Sequence, residues 1–226
     1  MNIVKVTSKT ESDRLKIHPQ RYKEVIFMTT SFQKLRTFTL PMGFRGRNAV
    51  VVQLWWVVQA LLFHPSPQFL YGWRRFLLRL FGAQIGADVL IRPSARVTYP
   101  WKLEIGDHSQ IGDGVELYSL GQITIGKNTV ISQDCYICTG GHDPAREDFA
   151  IYQQPVIIED EVWLAAQCFV MPGVTVRRGS FCKVRSLLTR DTCEGAIYAG
   201  SPARKTGDRR DLSPLMIDEK GARHDA

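Results

Sequence analysis

The run Thr139-Gly140-Gly141-His142-Asp143 holds the residue in this chain best suited to chemistry. Neutral imidazole is a serviceable general base near neutral pH, and removing a proton from a hydroxyl makes that oxygen a nucleophile. The two glycines ahead of His142 would let the backbone come close to a ligand. Asp143 is a candidate to orient the ring, but adjacent side chains often diverge, and a carboxylate or carbonyl from elsewhere in the fold would serve equally. Were that oxygen to attack a carbonyl, the tetrahedral oxyanion would need a donor, which a backbone N–H near Gly140, Gly141 or a facing part of the fold could supply. Taken alone, a histidine is more often a surface or packed residue, so its surroundings must decide.

Cys135 and Cys138 form a Cys-x-x-Cys pair, the spacing of half a zinc site or of a thiol-exchange pair. No second pair and no consistent set of partners accompanies it, so packed or free thiols are the simpler reading and no metal is expected. With Cys168, Cys182 and Cys193 the set is odd in a chain too large to need staples, which points to a reducing compartment.

These residues must be held by something. The chain has 226 residues, 44% hydrophobic and 23% charged, enough for one compact domain with tails rather than two full domains, and too apolar for disorder throughout. A net charge of +7 could favour anionic small molecules, lipid headgroups or nucleic acid. The basic residues are scattered, and without finger spacing, an RNP-like segment or a long Lys/Arg block, nucleic acid is not expected. Met1 to Thr10 is polar and lacks a signal-peptide core, so a cytoplasmic location is the default.

Residues 1–45 show no sustained period. From Ala49 to Phe63 the chain is apolar except at Gln53 and Gln59, and shorter than the ~20 residues that span a bilayer. It reads either as an element packed on the core or a partner subunit, or as a surface dipping into the membrane interface. In the second case Trp55 and Trp56 suit the headgroup boundary, and Arg45, Arg47, Arg74 and Arg75 meet anionic lipid. Phe69 to Phe81 predicts an amphipathic helix with Trp73, Phe76, Leu77, Leu80 and Phe81 on one face.

After Gly82 a period of six takes over. Aliphatic residues recur at Ile85, Ile91, Val97; Ile105, Ile111, Leu117; Ile125, Ile131, Ile137; then, after an interruption, at Ile158, Leu164, Val170, Val176, ending with Cys182 and Leu188. One inward residue per hexad fits a chain that turns after each short strand and returns every third corner, so that coils stack as a solenoid and pair as parallel strands. Gly86, Gly106, Gly112 and Gly126 follow inward residues, where a missing Cβ relieves corner crowding. The two-residue excesses after Val97 and Leu117 and the long excursion after Ile137 all leave from the same type of corner.

This stretch resembles the hexapeptide-repeat acyltransferases, most closely the WcaF-like branch of colanic-acid biosynthesis acetyltransferases. The resemblance rests on LLRLFGAQIG (77–86), YPWKLEIGD (99–107), TIGKNTVISQDCYICTGGHD (124–143), VWLAAQCFVMPGVTV (162–176) and YAGSPAR (198–204). It implies an all-β solenoid, a left-handed parallel β-helix over 82–204 with a side loop at 138–157. Residues 1–81 become an N-terminal extension with helical segments, and 205–226 a short tail. It also implies a homotrimer with active sites between subunits, acetyl-CoA as donor, and a saccharide or lipid-linked saccharide acceptor taking the acetyl group on oxygen, with His142 as base and no acyl-enzyme. An amine acceptor, or a solenoid scaffold without turnover, remain the alternatives.

The same resemblance assigns a cofactor groove. Trp163 would supply a broad face, and Ala165 and Ala166 room for a pantetheine arm, with backbone groups exposed to its amides. Lys183, Arg185 and Arg204 would meet the phosphates of the nucleotide end. Sealing a corner, coil packing and a solvated basic face are the bland readings of the same residues. Departures from the pattern are Glu159 and Arg177 in place of glycines, and CKVRSLL where a Gly/Ala-rich stretch is usual.

Overall fold

The computed structural model describes residues 31–213; the expectations for 1–30 and 214–226 lie outside the described residues. From Gln84 onward the hexads become strands of two to four residues separated by corners. Strands one coil apart pair in parallel, with Ile85 opposite Ile105 and Ile105 opposite Ile125. The pairs assemble three faces. The first stacks Gln84–Ile85, Leu103–Ile105, Ile123–Ile125, Val156–Ile158 and Thr175–Val176. The second stacks Leu90–Ile91, Gln110–Ile111, Val130–Ile131, Trp163–Leu164, Phe181–Cys182 and Ala196–Ala199. The third runs from Arg96–Val97 through Glu116–Tyr118, Tyr136–Cys138 and Phe169–Val170 to Leu187–Leu188. This is a left-handed parallel β-helix with five complete coils and the start of a sixth.

All the inward positions of the six-residue period are buried, from Ile85 to Leu188. One inward residue per hexad proves too few. The residue two places earlier is also inside, because alternate residues of a strand point to the same side. This second column holds Ala83, Val89, Cys135 and Cys168 but also Ser109, Thr129, Ser180 and Ser186, all buried. Polar residues disguise the column in the sequence. In the fold they are satisfied: the Ser109 hydroxyl donates to the Gly126 carbonyl at 2.6 Å and accepts from the Thr129 N–H at 3.0 Å.

The glycine column is steric. A Cβ on Gly126 would lie 2.3 Å from Asp160 Oδ1 and 2.5 Å from the Asp160 backbone nitrogen. Where the column gives way to Glu159 and Arg177, their side chains pair across coils at 2.9 Å.

Two helices close the first coil. Helix α1 (Ala49–Val58) starts at Asn48, whose side chain accepts from the Val51 N–H, and continues as a π-helical turn, Gln59–Phe63; α2 spans Tyr71–Leu80. Alternate residues of the first coil bond to the second, as Gly86 and Arg92 do by donating to the Ile105 and Ile111 carbonyls, so the carbonyls of Ile85, Val89, Ile91 and Val97 point the other way with no strand to meet. Leaving them unpaired and buried would be costly. Arg74 donates to the Ile91 carbonyl at 2.6 Å, Arg75 to Val89 at 2.9 Å, Arg79 to Ile85 at 2.6 Å and Trp55 to Val97 at 2.8 Å. This corrects two expectations. Arg74 is fully buried and Arg75 is committed to a carbonyl, so neither is presented to lipid. On α2, Leu77 is buried and Phe81 packs on the core, but Trp73, Phe76 and Leu80 are exposed, because capping the carbonyls turns the arginine side of the helix inward. No described helix is long and apolar enough to cross a membrane.

At the other end Arg204–Asp208 pairs antiparallel with Ala196–Ala199, so the segment just past 204 belongs to the sheet.

Candidate active site

The long excursion leaves the corner between the third and first faces as an antiparallel hairpin. Gly140–His142 pairs with Ile151–Gln153, placing His142 opposite Ile151, and the chain rejoins the first face at Val156. The hairpin itself uses both glycines. A Cβ on Gly140 would lie 2.7 Å from the Tyr152 carbonyl oxygen, and one on Gly141 3.1 Å from the Tyr152 hydroxyl.

His142 is half-buried and firmly held. Its Nδ1 lies 2.7 Å from the carbonyl oxygen of Phe149, and its ring stacks on the Phe149 ring with centroids 3.9 Å apart. The Phe38 ring also meets the imidazole, inclined at 63° with centroids 5.6 Å apart. A carbonyl can only accept, so Nδ1 carries the proton in this arrangement, and the neutral ring presents its lone pair at Nε2. Phe149 reaches this position with φ +52°, a left-handed conformation unusual for an aromatic residue and of the kind that gathers at functional sites.

Asp143 does not contact the imidazole nitrogen. Its Oδ1 accepts from the Ala145 N–H at 2.9 Å and shapes the turn that brings Phe149 back. Arg146 and Asp148 brace that turn with two bonds, 3.0 and 2.7 Å, which hold the Asp148 carboxyl below its ordinary value. Lys34 fastens the loop from outside. Its ammonium meets Glu147 at 2.6 Å, and its backbone N–H donates to the Glu147 carbonyl. Part of the stretch that shows no period in the sequence thus grips the histidine loop.

The other site candidates lie elsewhere on the prism. Trp163, on the second face, is 41% exposed, stacks on Phe181 at 4.4 Å and donates from its indole to Ser132. Ala165 and Ala166 lead into the corner between the second and third faces. Their backbone is engaged between coils: Ala165 donates to Cys182 and the Ala166 carbonyl accepts from Arg185. Lys183 and Arg185 sit exposed at the same corner one coil later, with Arg185 bonded to Gln167 at 2.7 Å. Arg204 is exposed at the start of the antiparallel strand. One chain therefore puts His142 at the corner between the third and first faces, and these residues on the second face and its corner with the third. A cleft on the first face, lined by Gly86, Gly106, Gly126 and Glu104, does not include His142.

Cys135 points inward and donates to the Ala165 carbonyl, while Cys138 donates to Gly140, so the two thiols serve different backbone groups. Burial pushes the Cys138 thiol up.

Two contributors to the histidine environment leave no trace in the sequence pattern. The Phe149 carbonyl is a backbone group without a side-chain signature, and Phe38 is brought in by tertiary docking alone.

No family model matches the chain. WcaF, the colanic acid biosynthesis acetyltransferase of Escherichia coli (strain K12), is 53% identical over 171 residues, covering 76% of this chain and 94% of WcaF. Among solved structures, the hexapeptide-repeat acetyltransferase VCA0836 of Vibrio cholerae complexed with acetyl coenzyme A superposes with a TM-score of 0.66 at 23% identity, covering 74% of this chain and 92% of that one. A galactoside acetyltransferase in complex with coenzyme A gives a TM-score of 0.60 at 17% identity, over 76% and 85% of the two chains. With that identity along nearly all of WcaF, and the coiled prism to match, the chain belongs to the WcaF-like colanic acid biosynthesis acetyltransferases, a branch of the hexapeptide-repeat acetyltransferases.

Proposed function

We infer that this acyltransferase moves an acetyl group from acetyl-CoA to a hydroxyl of a saccharide intermediate on the cytoplasmic side of the cell, with His142 as general base. The observation that carries the assignment is the 2.7 Å contact between Nδ1 and the Phe149 carbonyl, which leaves Nε2 as the basic atom. His142 accepts the acceptor proton at Nε2 as the acceptor oxygen bonds to the acyl carbon, and it returns the proton to the sulfur as the carbon–sulfur bond breaks. The Phe149 carbonyl stabilises the imidazolium formed between these events.

The donor's thioester must lie beside Nε2 while its arm and phosphates reach Trp163, Lys183, Arg185 and Arg204. Since these residues lie away from the corner that carries His142, a homotrimer supplies the arrangement, the histidine loop of one protomer facing the groove of its neighbour. Trp163 fits this use: it leaves 41% of its surface in solvent while stacking on Phe181 of the next coil.

The deciding experiment is an acetyl-CoA-dependent screen of matched hydroxyl and amino sugars with product mass analysis. Acetylation of hydroxyl sugars at the higher initial rate supports the assignment. Faster transfer to the amines makes the chain an N-acetyltransferase, and no transfer to either removes the saccharide acceptor.

A further inference from the structure

The helical cap has an inner face that closes the first coil and an outer face that meets nothing among the described residues. Along α1 and its π-helical continuation, Val50, Leu54, Val57 and Leu61 follow one helical stripe, and they are 75%, 52%, 52% and 67% exposed. Trp73 and Phe76 of α2 stack on each other at 5.7 Å, and the Trp73 indole donates to the Leu62 carbonyl, tying the two outer faces together. So many adjoining apolar side chains are seldom left in water without a partner.

The charge around this surface says which partner. The chain has 22 acidic residues, yet none falls between Glu24 and Asp88. Exposed Arg47 stands one turn ahead of the stripe and lines the same cleft as Leu54 and Leu80. Exposed aliphatic residues beside the half-exposed Trp56 and Trp73, a guanidinium in the same cleft and no carboxylate in the cap itself match an anionic bilayer. The apolar side chains enter the acyl boundary, Arg47 meets lipid phosphate, and the cap's own residues bring no carboxylate to oppose the contact. The helices are too short to cross the bilayer, so they would lie in its plane.

We propose that the outer face of the helical cap docks on an anionic phospholipid membrane. The cap covers one end of the prism, so the bilayer would lie across that end. The histidine loop, which leaves the third coil, would then stand roughly 20 Å from the lipid, counting two coil spacings and one helix thickness. That distance suits a saccharide carried on a membrane lipid. This last point rests on the saccharide-acceptor reading, while the docking itself does not.

The test floats the full-length protein with vesicles of phosphatidylcholine alone or containing about a third phosphatidylglycerol. The wild type should float with the anionic vesicles, less with the neutral ones, and less as salt rises. Leu54→Glu/Leu61→Glu should lower binding by about tenfold or more, with an unchanged melting temperature. Arg47→Glu should lower binding to the anionic vesicles alone. The proposal is overturned if the wild type stays unbound at low salt or if the double variant floats like it. It is equally overturned if, without lipid, the double variant sediments as a smaller species than the wild type, which would show a second copy covering this face. Turnover on a soluble acceptor is measured separately, so a failure of acetyl transfer would not be mistaken for a failure of docking.

Discussion

Phe149 holds His142 twice, accepting from Nδ1 at 2.7 Å through its carbonyl and stacking its ring on the imidazole at 3.9 Å. Replacing the histidine and replacing its support should therefore have different effects. His142→Ala should lower kcat by about 10²–10⁴-fold with CoA binding and assembly retained. Phe149→Gly keeps the carbonyl and the left-handed backbone but loses the stack, so it should lower kcat less than His142→Ala. Steady-state kinetics on both variants checks this; near-normal turnover of His142→Ala would remove the residue from the chemistry.

If a site is shared between copies, two defective chains should repair each other. Co-assembly of His142→Ala with Trp163→Ala chains should restore part of the activity that either variant lacks alone, because some interfaces then combine an intact histidine with an intact groove. Two tagged chains purified as mixed assemblies would show this, and no recovery would place both residues in one chain's site.

The glycine column and the helical glycine should respond in opposite directions. Gly126→Ala would push a methyl into the Asp160 backbone and should cost about 2 kcal/mol or more. Gly72 is the second residue of α2, where a Cβ would meet only the far end of Arg75 at 4.0 Å, so Gly72→Ala should stabilise by about 0.5 kcal/mol. Denaturant melts would measure both.

Arg74 is buried with no carboxylate beside it. It donates to the carbonyls of Ile91, Pro67 and Gln68 and to the Ser66 hydroxyl. Desolvation lowers its pKa from the usual arginine value. Arg74→Met fills much of the space but strands those acceptors, and should destabilise by about 3 kcal/mol in the same melts.

Of the five cysteines only Cys193 is exposed. Burial pushes the Cys182 thiol up to about 12. A thiol reagent at neutral pH should label one cysteine in the native protein and five after unfolding; more than one fast-reacting thiol would contradict the packing.

The sequence by itself determined the prism. A six-residue recurrence admits few chain paths, and each aliphatic from Ile85 to Leu188 had to leave water, so the coils, their corners and the exit point of the histidine loop were all legible. The second inward column was not, because Ser109, Thr129, Ser180 and Ser186 look like surface residues until neighbouring coils supply their hydrogen-bond partners. The arginines of α2 misled for a similar reason: their role comes from carbonyls orphaned by the start of the solenoid, which no residue type announces. Only the tertiary structure decided what orients His142. A backbone carbonyl aimed by one left-handed residue, and an aromatic ring delivered from Phe38, depend on how distant segments dock rather than on any local spacing.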